Sequence, residues 1–306
     1  PFRVRSMMRT CLFLLVVALA PPARAQDALG SDGGNATLTA HMRALAQATS
    51  PEEQDRASES VKTILRKMLE ADDAFTHTFA GVPLSRVDAA DSKFRLFTWN
   101  LPRPDGSHSF EGLLLVQDRK RRVVYELRDM TEKITSPELP ELGADNWYGA
   151  LYYDVVAVTK GGKIYYTLLG WKGFSRTETR KVIEVLSFRG SEPRFGAGLF
   201  ATPPAVDAPS RPAASKIKPN RRVFGYSFQV SMSLKLDPSE QRIVFDHLSP
   251  TKPELAGQPA FNGPDLSYDA YRWEKGQWLF QRDVDARDLD MTKPWNAPPK
   301  DGRSKF

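Results

Sequence analysis

The sequence predicts a mainly β protein: an antiparallel meander of about eleven or twelve strands behind a short α-helical N-terminal segment. Three observations carry this. Apolar residues recur at helical spacing before residue 85 and at a spacing of two after residue 90. Neighbouring apolar runs are joined by short turn-rich segments. No alternation of strand and helix appears, which excludes a Rossmann-type sheet. A meander of this length must hide its edges, as a barrel, a sandwich or propeller-like blades.

Residues 1–25 read as a secretory signal peptide. Arg9 precedes the apolar run "CLFLLVVALA", and Ala23-Arg24-Ala25 forms a small-residue cleavage site. The run is too short to span a bilayer, which needs roughly 20 apolar residues. Cleavage after Ala25 leaves a chain with no transmembrane span and places it in the periplasm or outside the cell. Four arginines and no acid leave with the segment, so the formal charge falls from +6 to +2. Cys11 leaves too, which removes disulfides, thiolate catalysis and cysteine-ligated metals from consideration.

Residues 26–35, "QDALGSDGGN", read as a flexible lead-in. The helical segment covers 36–82. Leu38, Met42 and Leu45 start it. "SPEE" then supplies Ser50 as N-cap, Pro51 at the first helical position and Glu53 three residues on, a capping box. Val61, Ile64, Leu65, Met68 and Leu69 form one stripe, predicting a helix over about 51–70 that packs on the first helix and the edge of the β-domain.

The β-domain spans 85–292. Hairpins are predicted around "PRPDGSHS", "TKGG" and "EKGQ". In "FGYSFQVSMSLKL", 224–236, every even position is apolar, which predicts one strand with a buried face or two strands joined by a bend. The proline-rich stretch 201–222 reads as an exposed loop, and 293–306 as a disordered tail.

The blocks "DSKFRLFTWN", "KIYYTLLGWKG", "KVIEVLSF" with "PRFG", and "IVFDHLSP" with "FNGPDLSYDAYRW" resemble those of an uncharacterised group of secreted bacterial proteins of Bacteroidetes type. The resemblance covers most of residues 85–290. It implies export and one continuous β-domain, and nothing about chemistry.

Function classes narrow by elimination. The four histidines have no paired metal-ligand spacing, and "DVDARDLD" lacks the glycine and terminal glutamate of a calcium loop. No nucleophile elbow or phosphate-binding loop occurs, so no cofactor or metal is expected, and "GWKG" reads as a strand end and turn. The basic runs "DRKRR" and "KIKPNRR" read as solvated turn and loop charges rather than a nucleic-acid groove.

Two constellations remain. Asp246 and His247 are adjacent on a strand and point to opposite faces, so they form no Asp–His couple. With Val244 inward, Asp246 is inward too. Asp246, Asp265 and Asp269 then either tether the connection 249–268 or, with His247, line a hydrolytic site built on Asp246 and Asp265. The second constellation is aromatic: Tyr152, Tyr153, Tyr165, Tyr166 and Trp171 place rings on both faces of a strand pair. Either both faces are core, or one is a platform for envelope polysaccharide or another envelope protein. The first functional expectation is thus a secreted binding or envelope-associated module. The rival is a hydrolase of envelope glycan or peptide.

Overall fold

The structure, a computed structural model, describes residues 31–119, 121–201 and 218–286. The segment read as a signal peptide, most of the proline-rich stretch 201–222 and the segment read as a tail lie outside the described residues. Within them, thirteen antiparallel strands form three sheets behind two helices. The sheets are open and layered like a sandwich, not closed into a barrel.

Helix α1 spans Ser31–Gln47, so residues 31–35 are helical rather than part of a flexible lead-in. Tertiary contact overrides weak local propensity here. Asn35 Oδ1 lies 2.8 Å from His77 Nε2. A Cβ on Gly34 would stand 3.1 Å from Met68 Cε, so the glycine lets the two helices approach closely. Helix α2 spans Pro51–Glu70, and Ser50 Oγ accepts the Glu53 N–H at 3.2 Å. The reciprocal arm of the expected capping box lands one residue earlier: Glu53 Oε2 accepts the N–H and hydroxyl of Thr49, each at 2.9 Å. Ser50→Ala is expected to cost about 1 kcal/mol in urea unfolding, because the Glu53 N–H loses its acceptor. The helical segment ends at Glu70, short of the expected residue 82, and turns lead on to the first strand.

The first sheet runs in chain order through β1 (Ser85–Asp88), β2 (Phe94–Pro102), β3 (His108–Asp118) and β4 (Arg121–Arg128). Its two faces follow strand parity. Phe97, Trp99, Leu101, Leu113 and Leu115 pack under Leu38, Val61, Leu65 and Leu69 of the helices. The helices therefore cover a face of this sheet, not the expected edge. Trp99 Nε1 donates to Ser58 Oγ at 2.9 Å, and Lys62 reaches Glu126 and Glu111 at 2.8 and 3.1 Å. Phe94, Leu96, Phe110, Leu114 and Val116 fill the opposite face.

That second face packs on the next sheet: β5 (Leu151–Lys160), β6 (Lys163–Gly173), β7 (Glu178–Arg189), β8 (Glu192–Phe195) and β9 (Arg222–Ser227). β8 and β9 share one edge of β7, pairing with its last and first halves. Even residues of β6 (Tyr166, Leu168) join the core with the first sheet, while Leu169 on the odd face joins the core with the third. The third sheet contains β10 (Leu234–Asp237), β11 (Arg242–Pro250), β12 (Asn262–Glu274) and β13 (Gln277–Gln281).

The even-position run 224–236 resolves into two strands in different sheets, β9 and β10. Parity breaks in the crossing between them, where Phe228 and Val230 are exposed. The segment 249–268 is also less of a loop than expected. β11 and β12 remain paired out to Pro250 and Asn262, which leaves two short 3-10 turns between them.

Candidate functional site

A cleft of about 790 Å³ opens where the start of β3, the ends of β4 and β6, and the starts of β7 and β9 converge. Its floor carries Lys172, next to last on β6. Parity puts this lysine on the face that holds Tyr166 and Leu168, so its side chain runs inward and is fully buried. Nζ donates to Thr131 Oγ1 and to the Gly149 carbonyl, both at 2.7 Å. It also sits over the rings of Phe110 and Tyr148, 4.3 and 4.7 Å from their centroids. Its direct partners are a hydroxyl, a carbonyl and two rings, not a carboxylate. Burial therefore pulls the amine down to about 8; attraction by Asp129 only partly offsets it, and Arg180 pushes the same way as burial.

Asp129 lies one hydroxyl away. Its Oδ1 accepts the N–H and the hydroxyl of Thr131, and its Oδ2 accepts the Phe110 N–H at 3.0 Å. Thr131 Oγ1 thus receives a proton donor from Lys172 and donates to Asp129, a continuous path from amine to carboxylate. Gly149 makes room for this: φ is +30°, and a Cβ there would stand 2.5 Å from the Asp129 carboxyl carbon.

His108 forms another wall. Its Nδ1 lies 3.1 Å from Asn100 Nδ2, and its ring meets Trp171 edge-on at 5.6 Å. Burial, then the Lys172 charge, lowers its pKa and favours the neutral imidazole. The ring lies so close to β6 that a Cβ on Gly173 would come within 2.5 Å of it.

Arg180 is directly opposite Lys172 in the β6–β7 register. Its Nε donates to Glu178 Oε1 at 2.7 Å, its Nη1 to Tyr148 Oη at 2.6 Å, and its guanidinium carbon is 3.3 Å from the Phe174 ring centroid. Like charges directly opposite in a sheet destabilise it, so this pairing needs an explanation. Glu178 relieves Arg180; among the described residues no carboxylate touches Lys172.

The residues expected from sequence lie elsewhere. Asp246 Oδ2 accepts the Ser233 N–H at 2.7 Å, so it fastens the chain entering β10 and not the connection 249–268. Asp265 holds that connection instead: it accepts the Ser249 hydroxyl and the Ser267 hydroxyl, each at 2.7 Å. Burial alone would raise the Asp265 pKa, but these hydrogen bonds hold it below the usual range. His247 stands in an irregular pairing opposite Asp265, Leu266 and Ser267, with Leu266 in the left-handed region (φ +73°). Its Nδ1 is 2.7 Å from Asp269 Oδ2, and its Nε2 is 3.9 Å from Asp265. An Asp–His couple does exist, across strands with Asp269 rather than along one strand with Asp246. Neither Asp246 nor Asp265 lines the large cleft.

The aromatic residues do not form one exposed surface. Tyr152 and Tyr166 are buried in the core between the first two sheets, where Tyr152 Oη accepts the Trp147 Nε1–H at 3.1 Å and Tyr166 Oη donates to Asp91 at 2.6 Å. Trp171 packs against the same core, and Tyr165 packs on the other face against the third sheet. Tyr153 alone of the five is exposed, because the β5 bulge between Tyr152 and Asp154 turns it outward. Its hydroxyl donates to the Leu234 carbonyl at 2.8 Å. Covering layers on both faces of the second sheet make both faces core, the first of the two alternatives, and leave no platform at these residues.

Sequence reasoning missed Lys172, Arg180, His108 and Asp129 as a group. The available signal was a lysine at core-facing parity in "YYTLLGWKG", which reading "GWKG" as a turn concealed.

No protein-family model, curated protein or solved structure matches the chain. Among the described residues, no helix is long and apolar enough to cross a membrane, and no group of three or more metal-ligating side chains converges.

Proposed function

We propose that the protein is an exported, envelope-associated binding protein whose ligand is a small anion, an acidic fragment of envelope polysaccharide, held in the cleft beside Lys172 and Arg180. The observation that carries this reading is the cross-register pair of cations on the cleft wall, one of them with no carboxylate against it among the described residues. A ligand carboxylate placed there relieves the repulsion and completes the charge balance. The cleft volume falls within the roughly 300–1,000 Å³ of small-ligand sites. Serine and threonine hydroxyls at Ser107, Ser109 and Thr135 line it and suit a polyhydroxyl ligand. Export is supported by the charged, apolar and small-residue pattern of residues 9–25, and by the resemblance to secreted bacterial proteins.

The test is calorimetric titration of the mature form beginning at Gln26, purified from the exported fraction. Glucuronate and galacturonate are expected to bind where glucose and galactose do not. Lys172→Gln is expected to weaken the acids about tenfold or more, the worth of one charge-assisted hydrogen bond. Equal affinity for acid and neutral sugar, or no heat with either, overturns the reading.

A further inference from the structure

The cleft holds more than an anion site, because its unpaired cation is an amine that can become a nucleophile. We propose that Lys172 forms a reversible imine with the carbonyl of a 2-oxo acid, while Arg180 binds the carboxylate next to that carbonyl. This rests on the anion-binding reading and narrows its ligand to acids, 2-oxo acid sugars included, whose carbonyl adjoins the carboxylate.

The register sets the two groups side by side. Lys172 and Arg180 are directly opposite on β6 and β7, an arrangement that sets Cβ atoms roughly 5 Å apart. Nε and Nη1 of Arg180 are engaged by Glu178 and Tyr148, which fix the guanidinium plane, and Nη2 makes no hydrogen bond among the described residues. The Phe174 ring beneath that plane holds it further. The amine itself is desolvated, lies over two rings and faces a second cation, the setting in which lysines act as carbonyl nucleophiles.

The step balances without an oxidant or reductant. The ammonium gives one proton to Thr131 Oγ1, which passes its own to Asp129. The freed Nζ pair forms a C–N bond as the carbonyl π pair moves to oxygen. That oxygen takes up protons, one from the amine and one returned along the same path, and leaves as water as the C=N bond closes. The titratable groups facing Nζ are Asp129 just past β4, Arg180 on β7 and His108 on β3; the Tyr148 ring lies against the amine and its hydroxyl accepts from Arg180.

The experiment incubates the full chain with pyruvate and sodium cyanoborohydride at neutral pH, then maps the reduced adduct by peptide mass spectrometry. Acetone serves as a carbonyl lacking the carboxylate. Lys172 is expected to label about a hundredfold faster than an ordinary exposed lysine, from its larger free-amine fraction. Pyruvate is expected to outpace acetone at Lys172 about tenfold, and Arg180→Met to erase that preference while labelling persists. Adducts confined to exposed lysines, with Lys172 unmodified, overturn the imine. If acidic sugars still bind by calorimetry in that case, the anion site stands alone; if they do not, both readings fall together.

Discussion

Glu184→Ala is expected to destabilise the protein by about 3–5 kcal/mol, measured by urea unfolding. Glu184 occupies the core-facing row of β7 between Val182 and Leu186, and its carboxylate meets Arg221 Nε at 2.7 Å. Both side chains are fully excluded from water. Burial pushes the Glu184 carboxyl above the usual range even with Arg221 against it, so the pair is expensive to bury as well as mutually dependent. Removing the carboxylate leaves a guanidinium with no countercharge in the core. Its other partners are the carbonyls of Pro137, Pro140 and Phe195, which accept hydrogen bonds and do not neutralise charge. Glu184→Gln keeps an acceptor for Nε and is expected to lose less. Because Arg221 also ties down Pro137 and Pro140 beside the cleft, Glu184→Ala should weaken ligand binding in the surviving folded fraction. A Glu184→Ala variant within 1 kcal/mol of the parent would sink this account of the core.

The same kind of residue separates what the sequence showed from what it concealed. α2 was legible because its start and its stripe agree: Ser50 and Pro51 open it, and Val61, Leu65 and Leu69 share one face. The hairpins were legible because their turns are local chemistry, as in "TKGG" between β5 and β6. The sheet number and the assignment of strands to sheets were not. The even-position pattern of 224–236 looks the same whether the chain continues one strand or crosses between two sheets. That choice is set by which core each half can enter, a non-local matter. Charged residues at core-facing parity mark the buried polar groups: Lys172 beside Tyr166 and Leu168, Glu184 beside Val182 and Leu186, Asp269 beside Tyr271. Each breaks a local rule and finds partners far away in sequence: Thr131 and Gly149 for Lys172, Arg221 for Glu184, His247 for Asp269. Asp246 and His247 attracted notice by adjacency, yet His247 finds Asp269 twenty-two residues on. The aromatic pairs misled for a related reason: two covering sheets bury both faces of β6, so rings on both faces need no ligand.

Lys172 gives the sharpest test of the cleft. Between about pH 8 and 10.5 the folded protein is expected to gain about 3 kcal/mol of stability relative to a Lys172→Met variant. The folded value near 8 lies below the ordinary value near 10.5, so in that window the unfolded chain holds a proton that the folded chain has released. Stability rises with pH wherever the unfolded state binds more protons. Below pH 8 the penalty is fully present, because both states are charged and only the folded one is desolvated. Above 10.5 both states are neutral and it is gone. Urea unfolding of the two proteins at pH 7 and pH 10.5 reads the difference directly, and comparison with the methionine variant cancels ionisations away from the cleft. Of the groups facing the amine, burial raises the Tyr148 hydroxyl, which holds it neutral through much of the window. A stability gap independent of pH would show that the amine is not desolvated in the folded state. A saturating acidic ligand adds a second arm: its carboxylate restores the ammonium's preference for charge, so it is expected to stabilise the parent more at pH 7 than at pH 10.5. That reversal follows only if the ligand sits against Lys172, which links the cost of burying this lysine to what the cleft binds.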